Sequence, residues 1–276
     1  MTRVTFCSGV AWAVATFIAV VCAAVAAPKR VVSMNVCTDH LALLLAAPGQ
    51  LVSVTWLAQD PWLNPAATQT KSLHINRGTA EEVLPLQADL VLAGTTTTRQ
   101  TVFLMRRLGL NVVEVPPVRS LVDVRHNIRA VAEALGRPAD GEALVARFEA
   151  DLSASAGASV QRLRSAALYG SGGHVAGQKT LAGDVAEHVG FRNLADVAGA
   201  SGGSLSVEEL LFARPDLVVL SPPQRDRPSL AAMTLDHPAL RLNGTLRRVE
   251  IPPAWWTCET PDAAKAAAQL AAARDR

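Results

Sequence analysis

The stretch Glu81-Glu82-Val83-Leu84-Pro85-Leu86-Gln87-Ala88-Asp89-Leu90-Val91-Leu92 returns, little changed, as Glu208-Glu209-Leu210-Leu211-Phe212-Ala213-Arg214-Pro215-Asp216-Leu217-Val218-Val219. Every position is displaced by the same 127 residues (81 to 208, 89 to 216). Each copy reads as a short helix headed by two acids, a turn at Ala-Asp or Pro-Asp, and an apolar strand. A helix–strand unit duplicated at that distance predicts two similar α/β lobes rather than one continuous sheet. Two lobes enclose a cleft, and a cleft is where a binding site is to be sought.

The rest of the chain fits two lobes of ordinary size. Its 276 residues are 50% hydrophobic, which is ample for a core, and the formal net charge is only +2. There is no basic stripe and only 4% of residues are aromatic, so a nucleic-acid partner is not expected. Arg3 is the only charge before an apolar run from Val4 to Ala27, and Ala24-Val25-Ala26 has the small-x-small pattern of a signal peptidase site. Residues 1–26 therefore read as an export signal cleaved near Ala26. A retained membrane anchor is the competing reading, since roughly 20 apolar residues span a bilayer. Cys22 suggests a lipid anchor, but Val21 before it is not small. Removal of the leader leaves Cys37 and Cys258.

Around the repeats the order is strand, helix, strand in both halves. Val31-Val32-Ser33-Met34 reads as a strand, Leu41 to Ala46 as a helix capped by Thr38 or Asp39 and ended by Pro48-Gly49, and Leu51 to Thr55 as the next strand. In the second half Ala166 to Tyr169 is a strand, Gly170-Ser171-Gly172-Gly173-His174 a Gly-rich loop, and Thr180 to Val189 a helix. This alternation predicts a parallel sheet in each lobe. Between them, Val124, Ile128, Val131 and Leu135 mark a helix over 122–135 that stops at Gly136-Arg137-Pro138. The Ala-, Glu-, Arg- and Leu-rich segment 138–164 reads as one long helix strapping an N-terminal lobe (27–137) to a C-terminal lobe (165–276).

This plan resembles the helical-backbone (class III) periplasmic substrate-binding proteins of ABC importers, which carry cobalamin, ferric siderophores, haem and related chelates. The segments that carry the resemblance are Arg30-Val31-Val32-Ser33-Met34-Asn35, Ala88 to Leu92, Arg214 to Val219, and Trp255-Trp256-Thr257-Cys258-Glu259-Thr260-Pro261. They are most similar to the cobalamin branch. The resemblance implies a periplasmic monomer that captures cobalamin or another metal chelate and delivers it to a membrane permease and its ATPase. No catalysis and no cofactor are expected. It also implies that one surface glutamate on each lobe docks on permease arginines, and motif matching assigns this to Glu81 and Glu208. A simple helix-dipole role for these acids is the plainer alternative.

Loops at the carboxyl ends of the strands should line the cleft. These loops hold Asn35, Cys37, Trp56, Trp62, His74, Thr95 to Arg99, Tyr169, His174, Trp255 and Trp256. Of the last two, one ring is expected to pack into the lobe and the other to face the cleft, as the Trp255 region does in the family; both as core is the alternative. His74 stands where the family usually has an aromatic pocket residue, and an imidazole suits an exposed metal. The Thr95-Thr96-Thr97-Thr98-Arg99 run suits a carboxylate or phosphate on the ligand, or simply caps a helix. For Cys37 and Cys258 three readings stay open: a disulfide across the cleft base, thiols on a metal with His40 or His74, and unrelated buried cysteines. An exported hydrolase is the rival from another class. The Gly-rich loop does not fit G-x-S-x-G, and no HExxH or P-loop is present. A chaperone working without a transporter is a third class. Asp184 and His188 read as a solvated i, i+4 pair.

Overall fold

A computed structural model of the chain describes residues 27–156, 164–197, 203–222, 229–241, 244, 246–258 and 260–276. The expected leader 1–26 lies outside the described residues. Among those residues, no helix is long and apolar enough to cross a membrane.

Strands β1 (Val31–Ser33), β2 (Leu51–Thr55), β3 (His74–Asn76), β4 (Leu90–Gly94) and β5 (Val112–Val115) form a parallel sheet in the order β3-β2-β1-β4-β5. Helices α1 (Val36–Leu45), α2 (Ala80–Val83) and α3 (Arg99–Arg107) connect them. Helices α4 (Leu121–Ala134) and α5 (Pro138–Ser153) follow as a hairpin. The second sheet holds β6 (Arg164–Tyr169), β7 (His174–Val175), β8 (Phe191–Asn193), β9 (Gly203–Ser204), β10 (Leu217–Leu220) and β11 (Arg248–Glu250), ordered β11-β10-β6-β7-β9 with β8 also on β6. Its helices are α6 (Leu181–His188), α7 (Leu194–Val197), α8 (Val207–Ala213), α9 (Leu230–Met233), α10 (Pro238–Arg241) and α11 (Ala263–Arg274). No described strand belongs to both sheets.

The internal repeat holds down to single residues. β4 lies beside β1, and β10 lies beside β6, both in parallel register. Gln87 (φ 50°) and Arg214 (φ 47°) are the two described non-glycine residues with left-handed backbone, and they occupy equivalent repeat positions. Two residues on, Asp89 accepts the N–H groups of Lys29 (2.7 Å) and Arg30 (2.9 Å) at the head of β1. Its counterpart Asp216 accepts the N–H (2.7 Å) and hydroxyl (2.9 Å) of Ser165 at the head of β6. The same carboxylate thus fixes the start of the central strand in each lobe.

Strand side chains alternate between faces, and the alternation divides the core into three. Val31, Leu90 and Leu92 from one sheet, and Ala166, Leu168, Leu217 and Val219 from the other, belong to one shared apolar cluster. Between them lie α1, α4, α5, α6 and α11, through Leu41, Ile128, Phe148, Val185 and Leu270 among others. The opposite faces make local cores: Val32, Val91 and Ala93 in the first lobe, Ala167, Tyr169, Val218 and Leu220 in the second.

Four departures from the sequence reading have physical causes. The connecting helix is 16 residues (138–153), roughly 24 Å rather than the expected span to 164. The Ser153 hydroxyl donates to the Ala150 carbonyl (2.8 Å) and that of Ser155 to Asp151 (3.3 Å), so Ser side chains take up carbonyls where the helix ends. Residues 157–163 lie outside the described ones. The second sheet is mixed, because β7 and β9 run antiparallel. α1 starts at Val36 rather than Leu41; Asn35 caps it by accepting the Cys37 N–H (2.9 Å). Asp184 and His188 do not pair with each other. Asp184 accepts the Leu121 N–H (2.6 Å) at the positive N-terminus of α4, and the His188 Nε2 lies 3.0 Å from the Leu152 carbonyl.

A seam ties the first turn of α1 to the segment before α11. Cys37 and Cys258 form a disulfide, with Cα atoms 4.9 Å apart, so the disulfide reading holds. One turn on, buried His40 meets the Asp262 carboxylate through Nε2 (3.2 Å) while its Nδ1 stays without a partner. Burial pushes the Asp262 carboxyl up, but His40 and Lys265 outweigh it and hold it below the usual range. Asp39 is buried in the same turn of α1 and accepts the Thr55 N–H and hydroxyl at the end of β2. Burial pushes its carboxyl up to about 6, against hydrogen bonds from Ser33 and Thr55 that lower it.

Two outcomes are expected. Cys37→Ser/Cys258→Ser should lose about 3–5 kcal/mol in urea unfolding, because the bridge closes a very long loop, and a reductant should bring the parent to the variant's level. Asp39 keeps its proton to higher pH when folded than when unfolded, so its favourable share is full below pH 3.8 and is lost as pH rises through about 6. Asp39→Asn should remove that loss. The stability gap between pH 5 and pH 7.5 should narrow by about 1.4 kcal/mol relative to the parent, and an unchanged gap would show that the Asp39 carboxyl titrates normally.

Candidate functional site

In the first sheet the carboxyl ends of β1, β4 and β5 lead directly into Asn35, Thr95 and Pro117. A cavity of about 90 Å³ opens there, lined by Asn35, Cys37, Gly94, Thr95, Thr96, Val115, Pro117 and Val118 from the first lobe and Thr257 from the second. Its floor is the disulfide: Cys37 lines it, and Cys258 is fully buried beside Thr257. The walls come from the turns after β1, β4 and β5. The Thr95 N–H donates to the Val115 carbonyl (3.1 Å) and the Gly94 N–H to the Thr97 hydroxyl (3.1 Å), so the turns after β4 and β5 are knit together. Gly94 has a steric reason to be glycine. A Cβ there would come within 2.8 Å of the Asn35 Nδ2, which would push the capping side chain away.

The polar side chains at the cavity are one amide and three hydroxyls. Asn35 spends its Oδ1 on the α1 cap, and its Nδ2 takes no partner among the described residues. The Thr95 and Thr96 hydroxyls are likewise uncommitted there, whereas Thr257 donates to the Pro253 carbonyl (2.7 Å). No ring, imidazole or carboxylate lines the cavity.

Of the expected site residues, the structure brings Asn35 and Cys37 together. Tyr169 needs correction: it is 1% exposed, sits in the second lobe's local core, and donates its hydroxyl to the Leu205 carbonyl (3.0 Å). Its strand position points it to the face away from the shared core, where apolar neighbours surround it. His74 is exposed but opens β3 opposite Ser53, two positions before the strand's carboxyl end. Trp255 and Trp256 are both half-buried and pack against the shared core. Trp56 follows the carboxyl end of β2 and is 51% exposed, and Trp62 is half-buried in the next loop; neither lines the cavity. Gly94, Val115, Pro117, Val118 and Thr257 were missed. The rule that sites gather at strand carboxyl ends would have found the first four had Val112–Val115 been read as a strand.

The two acid pairs separate cleanly. Glu209 completes a capping box on α8, accepting the Ser206 N–H (2.7 Å) while Ser206 accepts from Glu209. Glu82 accepts the Arg77 N–H (2.6 Å), which holds its carboxyl below the usual range. Glu81 and Glu208 are exposed and take neither a hydrogen bond nor an ion pair from the described residues.

The sequence pattern of the Periplasmic binding protein family matches residues 31–241. No curated protein matches the chain. Among solved structures, the apo periplasmic heme-binding protein RhuT of Roseiflexus sp. RS-1 is similar at 24% identity, with 89% of this chain and 97% of that one covered and a TM-score of 0.72. The periplasmic vitamin B12 binding protein BtuF of Vibrio cholerae is similar at 17% identity, over 90% and 99% of the two chains, with a TM-score of 0.64. An ABC-type Fe3+-hydroxamate transport system structure from Saccharomonospora viridis is similar at 20% identity, over 91% and 94%, with a TM-score of 0.64. At these identities the structures share the two-lobe fold. The family match covers most of the chain, and so the protein belongs to the periplasmic binding protein family, whose members bind rather than catalyse.

Proposed function

We propose that the protein is the substrate-binding component of an ABC importer that captures a metal chelate between its lobes and delivers it to a permease and its ATPase. The observation that carries this reading is the pair of sheets related by the 127-residue repeat, joined by a helical layer, with a cavity at the carboxyl ends of the first sheet that Thr257 of the second lobe also lines. The chelates named for proteins of the same fold, haem, vitamin B12 and Fe3+-hydroxamate, set the candidates. On this reading the lobes are 27–137 and 165–276, the leader is removed near Ala26, and the mature chain acts in the periplasm as a monomer.

Glu81 and Glu208 are proposed as the permease contacts. Their freedom supports it, since the neighbouring acids at each helix head are the ones bound to local backbone, Glu209 in a capping box and Glu82 to the Arg77 N–H. Exposed ion pairs contribute on the order of 1 kcal/mol or less each, so the pair would set orientation and encounter more than affinity. The bridged seam and shared core favour a largely preformed site with modest lobe movement.

The proposal is tested by melting the mature protein with cyanocobalamin, haemin and ferric siderophores at low micromolar concentration. One chelate class should raise the melting temperature, because binding to the folded state must stabilise it. A flat response to all of them sinks the carrier reading. Glu81→Arg/Glu208→Arg should abolish uptake in cells and leave ligand affinity in solution unchanged. Glu82→Ala and Glu209→Ala should do the reverse, lowering the melting temperature through the lost Arg77 hydrogen bond and the lost capping box respectively, and sparing uptake at permissive temperature.

A further inference from the structure

The disulfide at the floor of the cavity presents its two sulfurs unequally. Cys37 lines the cavity and is half-buried, whereas Cys258 is fully buried and does not line it. Thr257, whose carbonyl lies 3.9 Å from the Cys37 Sγ, is the second lobe's share of the wall. Residues 27–276 hold no other cysteine.

A thiolate opens a disulfide by attacking one sulfur and expelling the other. Leaving-group chemistry and access point here to opposite sulfurs. Cys37 stands in the first turn of α1, a helix of 10 residues, and a helix N-terminus favours a thiolate. The apolar, fully buried site of Cys258 disfavours one. On leaving-group grounds attack should fall on Cys258 and expel Cys37. In the folded protein no thiol reaches Cys258, because none of its surface is exposed. Attack is confined to Cys37, so exchange is slowed but directed.

We infer that Cys37 is a site of S-thiolation, reached through the cavity by small aliphatic thiols. The thiolate RS⁻ attacks the Cys37 Sγ. The bond between the two sulfurs breaks, its electron pair leaves on the Cys258 Sγ, and that sulfur takes a proton. The products are a mixed disulfide at Cys37 and a buried thiol at Cys258, one disulfide having replaced another. The step runs backward when Cys258, deprotonated, attacks the Cys37 Sγ and expels RS⁻, so the bridge re-forms once free thiol is removed. The adduct fills the cavity with the thiol's own chain and severs the covalent tie between the α1 turn and the segment before α11. A space of about 90 Å³ takes a short thiol and rejects a bulky one. This inference stands apart from the carrier reading.

The test incubates the folded mature protein with mercaptoethanol, quenches early time points in acid, unfolds and alkylates the chain, and locates the adduct by peptide mass spectrometry. The adduct is expected on Cys37, with Cys258 recovered as the alkylated thiol. In urea, where both sulfurs are open, adducts should form on both cysteines. An adduct on Cys258 in the folded protein, or an even division, overturns the inference. So does a folded protein that forms none while the unfolded chain reacts. Thr95→Phe/Thr96→Phe, which narrows the opening, should slow the exchange about tenfold or more at an unaltered melting temperature. An equal rate in that variant means that thiols enter by opening of the fold, and it overturns the cavity route. A thiol series on the parent keeps the question open to test if the variant misfolds. From mercaptoethanol through glutathione to a thiol on a polyethylene glycol chain, rates should fall more steeply on the folded protein than in urea. The same fall in both conditions also overturns the route.

Discussion

The molecule depends on the apolar layer between its two sheets. Neither sheet could bury its inner face alone, because the first offers Val31, Leu90 and Leu92 and the second Ala166, Leu168, Leu217 and Val219 to a common set of helices. α4 and α5 supply the largest single share of that set as a hairpin, and α1, α6 and α11 close around it. Burial at about 25 cal/mol per Å² makes this layer the dominant favourable contribution. It also fixes geometry: with one dense core shared between the lobes, each cannot move far without opening apolar surface to water.

Polar stitches then choose one arrangement from those the apolar layer would permit. Asp184 reaches from the second lobe to the first N–H of α4, His188 to the carbonyl of Leu152, and His40 to Asp262. Each is short, directional and partly or wholly shielded, so a shifted packing would leave a buried polar group unpaired at a cost of about 1–3 kcal/mol. The disulfide adds a covalent tie at the same seam. Cys37 of that tie lines the cavity, so the covalent bond anchors one of its walls.

Much of this was written in the residues. The 127-residue displacement carried the two-lobe plan, and it proved exact enough to repeat a left-handed backbone at Gln87 and Arg214, a residue type with no glycine excuse. Strand β2 was legible from Leu51 to Thr55 because its apolar run ends at a polar loop. What could not be read was long-range pairing. Tyr169 looks like a cleft aromatic from its neighbours, and only the second lobe's core explains its burial. Asp184 and His188 have helical spacing, so local logic pairs them, while tertiary contacts give each a distant backbone partner. The length of α5 failed for a similar reason: composition favours helix beyond Ser153, and serine hydroxyls competing for carbonyls do not show in a periodicity count.

The bridge between Cys37 and Cys258 joins residues 221 positions apart, and its second member lies close to the end of a 276-residue chain. The whole segment from Cys37 through Cys258 must therefore have been synthesised before the ring can close. Until then the first lobe carries a free thiol at the start of α1. Maturation of the protein is thus tied to thiol oxidation as well as to chain collapse.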